Sequence, residues 1–426
     1  MKQIKTIKLT GWDYKQIGQL FSRNISGEWG SDPDGTNNTL VVGTPDFNND
    51  GSIDWTSVKE RKISPIRLNV RRILQGNTLI EKSGGSDAQP AGRVVFCDKT
   101  VNGTCSNFVQ LLTVDKNYNP KFINYLLFFY YQKGLVYQYQ QKTTGIINFK
   151  INDYFKETVQ LPISITEQQK IAEILSDIDL AIEETNKLVG KYKSIKQGLM
   201  QDLFRYGIDE KGQIRSEKTH KFKDSPLGRI PEEWVIASFI DVSKVRQGLQ
   251  IAISDRKHEP GINRYQYITI QYLNDRNSFN DYVQNPPKSV VSTKNDVLLT
   301  RTGNMGKVVT NEGGVFHNNF FMVDFDRNKL SKEWLVYYLT RVKIQNYFSI
   351  YAGVTTIPDL KHGDFYRTPC VYPKSIDEQT AITNILSSSD SAIEKEEVYK
   401  QKLLSLKQGL MDDLLSGKVR VNKLLN

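Results

Sequence analysis

Residues 167–204 read EQQKIAEILSDIDLAIEETNKLVGKYKSIKQGLMQDLF, and residues 378–415 repeat this stretch as EQTAITNILSSSDSAIEKEEVYKQKLLSLKQGLMDDLL. The two copies align without a gap at a constant offset of 211 residues, and they are identical at 19 of 38 positions. Self-similarity at a fixed offset is the sequence signature of an internal repeat. The chain is therefore predicted to contain two units of the same design.

Each copy is predicted to form one long amphipathic helix, because its apolar residues recur at spacings of three and four. The residues predicted to pair the two helices are Ile171, Leu175, Ile178, Ile182, Tyr192, Leu199, Ile382, Leu386, Ile393, Leu403 and Leu410. At ~1.5 Å per residue, each helix would be roughly 55–60 Å long. Such a helix needs a partner for its apolar face, and the other copy is the simplest partner. The alternative is two unrelated surface helices on separate domains.

The repeat includes more than the helices. Leu161-Pro162 matches Tyr372-Pro373, and Thr144-Gly145-Ile146 matches Thr355-Thr356-Ile357, both at the offset of 211. Strand-like runs separated by turns rich in Gly, Asn and Asp predict sheets in the regions before each helix. The predicted segments are a first domain at 1–160, a helix at 161–206, a linker at 207–225, a second domain at 226–373, a helix at 374–417 and a basic tail at 418–426.

The positive charge of the chain lies in the two domains. The net charge is +10, with 20 Lys and Arg against 14 Asp and Glu in residues 1–166, and 25 against 19 in residues 205–377. Both helices are acidic. Two basic modules are typical of a protein that contacts nucleic acid at two places, since phosphate contacts need Lys and Arg. The absence of long apolar runs, of an apolar N-terminal core and of paired cysteines predicts a cytoplasmic protein without a membrane partner.

Motifs for catalysis or metal binding are incomplete. Residues 46–51 place oxygen ligands like those of a calcium loop, but Ser57 stands where that loop needs a bidentate Glu. A turn is therefore expected, with a metal site at Asp46–Asp54 as the alternative. Asn285-Pro286-Pro287-Lys288 resembles an adenine methyltransferase motif, but Lys288 replaces the aromatic residue that would stack on a flipped base. The sequence therefore predicts no catalytic residue, no metal and no cofactor for this chain.

The strongest candidates for DNA contact lie in one polar loop of the second domain. They are Thr300, Arg301, Thr302, Asn304 and Lys307. An Arg side chain can read guanine and an Asn side chain can read adenine in the major groove. The alternative is a solvent-exposed hairpin loop without a binding role. In the first domain, Lys82 and Ser83 lie in a stretch of similar character and are the corresponding candidates.

The chain resembles the specificity subunit of Type I restriction–modification systems. The features that carry the resemblance are the doubled EQ-x-x-I-x-x-ILS and KQGLM helices, the Thr-Gly-Ile and Thr-Thr-Ile domain ends, the stretch DVLLTRTG at Asp296–Gly303, and the opening PEEW at Pro231–Trp234. The first domain departs from the pattern, because only Gly11-Trp12 stands near its start. Its Leu-Ile-Glu-Lys-Ser-Gly is a loose version of the later motif.

The resemblance implies a fold and a function. The fold class would be α/β, with two target recognition domains joined by two long antiparallel helices that form a coiled-coil spacer with pseudo-two-fold symmetry. Each domain would read one half of a bipartite, asymmetric site in double-stranded DNA. Two methyltransferase subunits carrying S-adenosylmethionine would methylate adenine, and restriction/translocase subunits would join for cleavage. The chain itself would not be an enzyme. The alternatives are a self-contained DNA-modifying enzyme and a coiled-coil scaffold without a DNA role.

Overall fold

The computed structural model describes residues 9–143, 145–352 and 359–424. The chain divides into two compact units, of which the first comprises residues 1–187 and 398–426 and the second comprises residues 188–397. Each unit contains one globular domain, the first half of the helix that follows it, and the second half of the other long helix. The units therefore differ from the consecutive segments expected from the sequence, because both helices contribute to both units.

The domain of the first unit is built from small sheets and short helices. Its strands are β1 Trp12–Gln16, β2 Phe21–Ser26, β3 Asn38–Val42, β4 Lys59–Lys62, β5 Thr78–Glu81, β6 Ser83–Gly85, β7 Val94–Phe96, β8 Gly103–Cys105, β9 Val109–Val114, β10 Gln140–Thr143, β11 Ile146–Phe149 and β12 Thr158–Pro162. Its helices are α1 Pro65–Asn69, α2 Pro120–Gln132 and α3 Ile151–Tyr154, followed by the long helix α4 Ile165–Tyr206. The sheets have the strand orders β2-β9-β5-β7, β4-β3-β8, β10-β11-β6 and β1-β12.

The domain of the second unit repeats this plan. Its strands are β13 Phe222–Lys223, β14 Ile230–Pro231, β15 Val235–Ser238, β16 Ser243–Gln247, β17 Arg264–Ile268, β18 Tyr282–Gln284, β19 Val291–Ser292, β20 Val297–Thr300, β21 Val308–Thr310, β22 Gly314–Phe316, β23 Phe320–Phe325 and β24 Pro369–Tyr372. Its helices are α5 Phe239–Val242, α6 Ile270–Asn274, α7 Lys332–Thr340, α8 Val342–Ala352 and α9 His362–Arg367, followed by the long helix α10 Ile376–Leu414. The sheets have the orders β16-β23-β20-β21, β18-β17-β22-β19, β15-β24 and β13-β14.

The two domains share their topology where their sequences have diverged. Each has an antiparallel four-stranded sheet, and each has a second sheet in which one pair of strands is parallel, β3 with β8 and β17 with β22. Asn37 and Asn263 precede the matching strands β3 and β17, and their φ angles are 56° and 54°. Asn adopts this left-handed conformation more readily than most residues. The internal repeat therefore extends through the domain interiors.

The predicted long helices are confirmed, and a glutamine at the start of each one ties it to its domain. Gln168 accepts a hydrogen bond from the backbone N–H of Asn119 at 2.8 Å, and Asn119 is the N-cap of α2. Gln379 accepts from the backbone N–H of Ser331 at 2.8 Å, and Ser331 is the N-cap of α7. Each side-chain amide also donates to a proline carbonyl six residues earlier. These bonds explain the Gln of the repeated EQ pair.

The predicted helix-pairing residues have two kinds of environment. Ile171 and Leu175 belong to the core of the first unit, and Leu410 packs against that core. Ile382 and Leu386 belong to the core of the second unit, and Leu199 packs against that core. Ile393 and Leu403 are buried, while Ile178, Ile182 and Tyr192 are half-buried. Burial alone does not distinguish the domain core from the other helix as the partner of these residues, and their pairing across the two helices stays a prediction. Near the ends of the long helices, the domain core packs on the apolar face of the helix, because only a short connection separates each domain from the helix that follows it.

Candidate nucleic-acid interface

In each domain, polar loops gather at one end of the four-stranded sheet. Antiparallel pairing brings the ends of β16 and β20 beside the starts of β23 and β21. The same pairing brings the ends of β2 and β5 beside the starts of β9 and β7. We call this the loop end of each sheet. All the residues predicted from the sequence to contact DNA lie at or directly beyond it.

Arg301 directly follows β20 and is held inside the second domain. Its guanidinium makes a two-point contact with the carboxylate of Asp359, at 2.9 and 2.7 Å, and donates to Oε1 of Gln247 at 3.1 Å. The guanidinium holds the pKa of Asp359 below its ordinary value. This arrangement uses the planar fork of donors with which an arginine would otherwise read a guanine. In this conformation, Arg301 positions the loop end of the sheet.

Thr300 shapes the loop that follows it. The residue is 1% exposed, its hydroxyl donates to the carbonyl of Asn304 at 2.5 Å, and it accepts from the backbone N–H of Lys307 at 2.8 Å. This burial argues against direct base contact by Thr300. The side chains of Asn304 and Lys307 are exposed, and that of Thr302 is half-exposed. These three remain free to reach a ligand, and their contact with DNA stays a prediction.

Lys82 holds the place in the first domain that Arg301 holds in the second. The backbone N–H of Lys82 donates to Phe108 O, and that of Arg301 donates to Asn319 O, both at 2.8 Å. The Lys82 ammonium donates to Oγ of Ser26, the last residue of β2, at 2.6 Å. Gln247, which accepts from Arg301, is likewise the last residue of β16. Burial lowers the pKa of Lys82 below its ordinary value.

Ser83 is a less suitable candidate for DNA contact. It is 7% exposed, and its hydroxyl donates to Oδ1 of Asn148 on β11 at 2.7 Å. The loose resemblance between the two stretches therefore has a structural basis, which is a cation at the end of the central strand. In the structure, Lys82 directly follows β5 as Arg301 directly follows β20, since these strands are Thr78–Glu81 and Val297–Thr300.

A carboxylate at the start of each long helix binds an arginine from beyond the end of the other helix, within one unit. Glu167 is 2% exposed, and its oxygens accept from Nε and Nη2 of Arg420 at 2.6 and 2.8 Å. Nε1 of Trp12 donates to the same carboxylate at 3.4 Å. Trp12, near the start of the first domain, therefore contacts the carboxylate at the start of α4, although this domain lacks the PEEW pattern.

The second unit contains the corresponding group. Glu378 accepts from Nη1 and Nη2 of Arg215 at 2.5 and 3.2 Å, and from Nε1 of Trp234 at 3.2 Å. Arg215 also contacts Glu233 at 2.9 Å. We call these two groups the helix-start clusters. Their arginines lie in the stretches predicted as a linker and a basic tail, and sequence reasoning gave neither a role.

A second pair of contacts joins the two helices to each other. In the first unit, Nζ of Lys407 lies 2.6 Å from Oδ1 of Asp179, whose other oxygen accepts from the hydroxyl of Tyr125 at 2.6 Å. In the second unit, Nζ of Lys196 lies 2.5 Å from Oδ1 of Asp390, whose other oxygen accepts from Tyr337 at 2.7 Å. The Lys of each KQGLM thus pairs with the Asp of the other helix copy. Within each unit, the two helix segments are therefore antiparallel.

Other motifs from the sequence form ordinary turns. Asp46 accepts from the backbone N–H of Gly43 and from the hydroxyl of Ser57, both at 2.7 Å. Asn285 has a φ of 50°, which suits a turn. Across residues 9–143, 145–352 and 359–424, no group of three or more His, Cys, Asp or Glu side chains is arranged to hold a metal ion. Thr144 and Thr355-Thr356-Ile357 lie outside the described residues.

Together, these features define a class of protein with a duplicated α/β domain, a loop end in each copy, and paired halves of two long helices. The family of the Type I restriction modification DNA specificity domain matches residues 10–190 and 231–404. These two matches cover most of the chain, and each one includes a domain and part of the helix that follows it. The chain therefore belongs to this family.

Similar proteins agree with this assignment. The chain is 28% identical over 308 residues to the Type I restriction enzyme MjaVIII specificity subunit of Methanocaldococcus jannaschii, covering 67% of both chains. It is 26% identical over 388 residues to the putative type I restriction enzyme MjaX specificity subunit of the same organism, covering 87% of this chain and 85% of that one. The S subunit of a Type I system from M. genitalium has the same fold, with a TM-score of 0.58 at 16% identity over 97% of this chain and 98% of that chain. Within the described residues, no helix has the length and apolar character needed to cross a membrane.

Proposed function

We propose that this chain is the DNA-specificity subunit of a Type I restriction–modification complex. The observation that carries the proposal is the duplicated loop end, which has the same strand arrangement in both domains but different side chains. Two equivalent modules with different loops suit the recognition of two different half-sites. Each domain would then read one half of a bipartite, asymmetric sequence in double-stranded DNA. Sequence would be read by the exposed loop residues, since base-edge contacts carry specificity.

The chemistry is assigned to partner subunits. Methyltransferase subunits, which would bring S-adenosylmethionine, would be positioned on adenines by this chain. Restriction/translocase subunits would join the same assembly to cleave DNA. This chain would contribute binding and positioning and no catalytic group. The family to which it belongs and the names of its relatives support this division of work.

The experiment is a reconstitution. The purified chain with S-adenosylmethionine and DNA is expected to transfer no methyl group and to cut no strand. Addition of the cognate methyltransferase subunit is expected to give adenine methylation at one bipartite sequence, which genome-scale mapping of methylated adenines would identify. Methyl transfer by the chain alone would support a self-contained enzyme. Methylation of the same sequences by the methyltransferase subunit with and without this chain would support a scaffold without a DNA role.

A loop replacement in one domain tests whether the two domains read DNA independently. A chain in which the loop Thr302–Lys307 is replaced by glycine and serine should lose one half of the recognised sequence and keep the other. Loss of both halves together would show that the two domains do not read DNA independently.

A further inference from the structure

The guanidinium of Arg341 is fixed on the aromatic surface of the second unit. Its central carbon lies 4.8 Å from the ring centroid of Phe204 and 5.4 Å from that of Tyr338. Both rings belong to the buried core of that unit. Stacking on two immobile rings restricts a side chain that would otherwise be flexible. The position of this charge is therefore set before any ligand arrives.

Arg341 lacks the partner that such a charge usually has. Within the part of the chain that the structure describes, no carboxylate lies within 4.0 Å of this guanidinium, and no acceptor takes a hydrogen bond from it. The Arg341 side chain is half-buried. Burial lowers the pKa of Arg341 below its ordinary value. A half-buried charge without a counterion is costly, and a bound anion would offset that cost.

In the first unit, the cation at the position that corresponds to Arg341 has a carboxylate partner. Lys133 is the C-cap of α2, as Arg341 is the C-cap of the matching helix α7. The Lys133 ammonium lies 2.7 Å from the carboxylate of Asp412 on the long helix. The position 211 residues before Asp412 is Gln201, which has no charge. The cation at this position therefore has a carboxylate partner on the long helix in the first unit, whereas the corresponding position in the second unit is the neutral Gln201.

The surroundings of Arg341 favour a phosphate. The carbonyl of Arg341 accepts from the backbone N–H groups of Ile344 and Gln345, so the residue opens the 11-residue helix α8. The N-terminus of a helix carries partial positive charge and binds phosphate groups. The side chain of Gln345 donates to Gly306 O at 2.9 Å. Arg341 is therefore joined through one residue to the loop Thr300–Lys307 at the loop end of the sheet.

We propose that Arg341 and the N-terminus of α8 bind a backbone phosphate of the DNA, beside the loop Thr300–Lys307. The contact strengthens binding and sets the register of the second domain, and it does not select bases, because phosphates carry no sequence information. The inference rests on the proposed function, in which the second domain reads DNA. It adds an anchoring residue outside the predicted loop and an asymmetry between the two domains.

The test measures DNA affinity as a function of salt for the complete chain assembled with its methyltransferase subunit. Arg341→Gln should weaken binding about 10- to 100-fold, as expected for a hydrogen bond to a charged group. It should also reduce the slope of log K against log salt by about 0.9, the value for one phosphate. The methylated sequence should stay the same. Gln201→Asp should have the same effect on the slope while keeping Arg341, because it supplies the carboxylate found in the first unit.

Lys133→Gln is the matched control. The Lys133 ammonium already pairs with the Asp412 carboxylate, so this substitution should leave the salt slope unchanged. Thermal unfolding of each variant separates misfolding from loss of a contact, and Gln201→Asp is expected to stabilise the fold. An unchanged slope in both Arg341→Gln and Gln201→Asp would overturn the proposal. So would an unchanged slope together with weaker binding of the methyltransferase subunit, which would assign the site to a protein carboxylate. Failure of the wild-type assembly to bind DNA would instead overturn the proposed function.

Discussion

Replacement of Arg420 by alanine should destabilise the first unit strongly. Glu167 is 2% exposed and receives two charge-assisted hydrogen bonds from Arg420, at 2.6 and 2.8 Å. Without Arg420, the carboxylate would keep the Trp12 N–H at 3.4 Å as its remaining side-chain donor. Removing one partner of a buried ion pair costs about 3–5 kcal/mol, because the other charge stays buried without compensation. The expected result is a loss of this size in the free energy of unfolding of the first unit.

The assay is urea denaturation with two probes, since a chain of two units need not unfold in one step. Fluorescence reports the whole chain, and hydrogen exchange on residues 9–26 reports the first unit. Glu167→Gln and the double variant complete a mutant cycle, and the double variant should lose less than the sum of the two single changes. Arg327→Ala is the matched control. Its guanidinium is 51% exposed and lies 3.4 Å from Asp296, so its loss should cost under about 1 kcal/mol. Costs below about 1 kcal/mol for Arg420→Ala, with no coupling to Glu167→Gln, would refute the reasoning.

Three further predictions concern recognition and assembly. Arg301→Ala and Asp359→Ala should each slow methylation and leave the recognised bases unchanged, because the ion pair positions the loop end; a changed base at one position would instead assign Arg301 to base reading. Insertion of seven residues into each long helix should lengthen the unspecified gap of the DNA site by about three base pairs, at ~1.5 Å per residue against ~3.4 Å per base pair; a changed half-site with an unchanged gap would contradict this. A fragment of residues 1–225 should form a homodimer at lower concentration than residues 1–206, because it retains Arg215 for the Glu167 of a second copy; sedimentation of both as monomers at tens of micromolar would contradict the pairing.

The sequence predicted the helices and the repeat because their residues still match. At an offset of 211, Asp179 aligns with Asp390 and Lys196 aligns with Lys407, and the structure joins these four across the helix pair. The Lys of each copy pairs with the Asp of the other copy, so a change at one position would leave an unpaired charge. A gapless alignment is the natural result of such mutual contacts. The motif letters quoted from the sequence therefore already contained the antiparallel pairing.

The helix-start clusters could not be found in this way. Arg215 follows the end of the first copy at Phe204 by 11 residues, whereas Arg420 follows the end of the second copy at Leu415 by five. An alignment with a constant offset cannot pair residues at unequal spacing. The guanidinium reaches its carboxylate over different lengths of backbone, because a long side chain tolerates variation in the position of its Cα atom. The shared signal was the Glu at the start of each helix, which needed a cation that the alignment did not supply.

The loop residues were predicted by residue type, and residue type does not determine where a side chain points. Thr300 ends β20 and Arg301 directly follows it, and polar residues at this place suit DNA contact as well as internal support. The contacts that hold the Arg301 guanidinium come from Asp359 and Gln247, which are more than 50 residues distant along the chain. Only the folded domain brings them together. Burial of Thr300 likewise follows from the hairpin that β20 forms with β21 and not from its immediate neighbours.

The division of the long helices between units has a consequence for how the protein is made. Residues 188–397 are continuous, so the second unit can complete its core as soon as that stretch has left the ribosome. The first unit is interrupted, because Met411, Leu414 and Leu415 belong to its core together with Trp12. The domain synthesised first therefore completes its core only after Leu415 has left the ribosome. During that interval the first domain lacks Met411, Leu414 and Leu415, so the apolar surface that they cover in the folded unit is exposed and available to a chaperone.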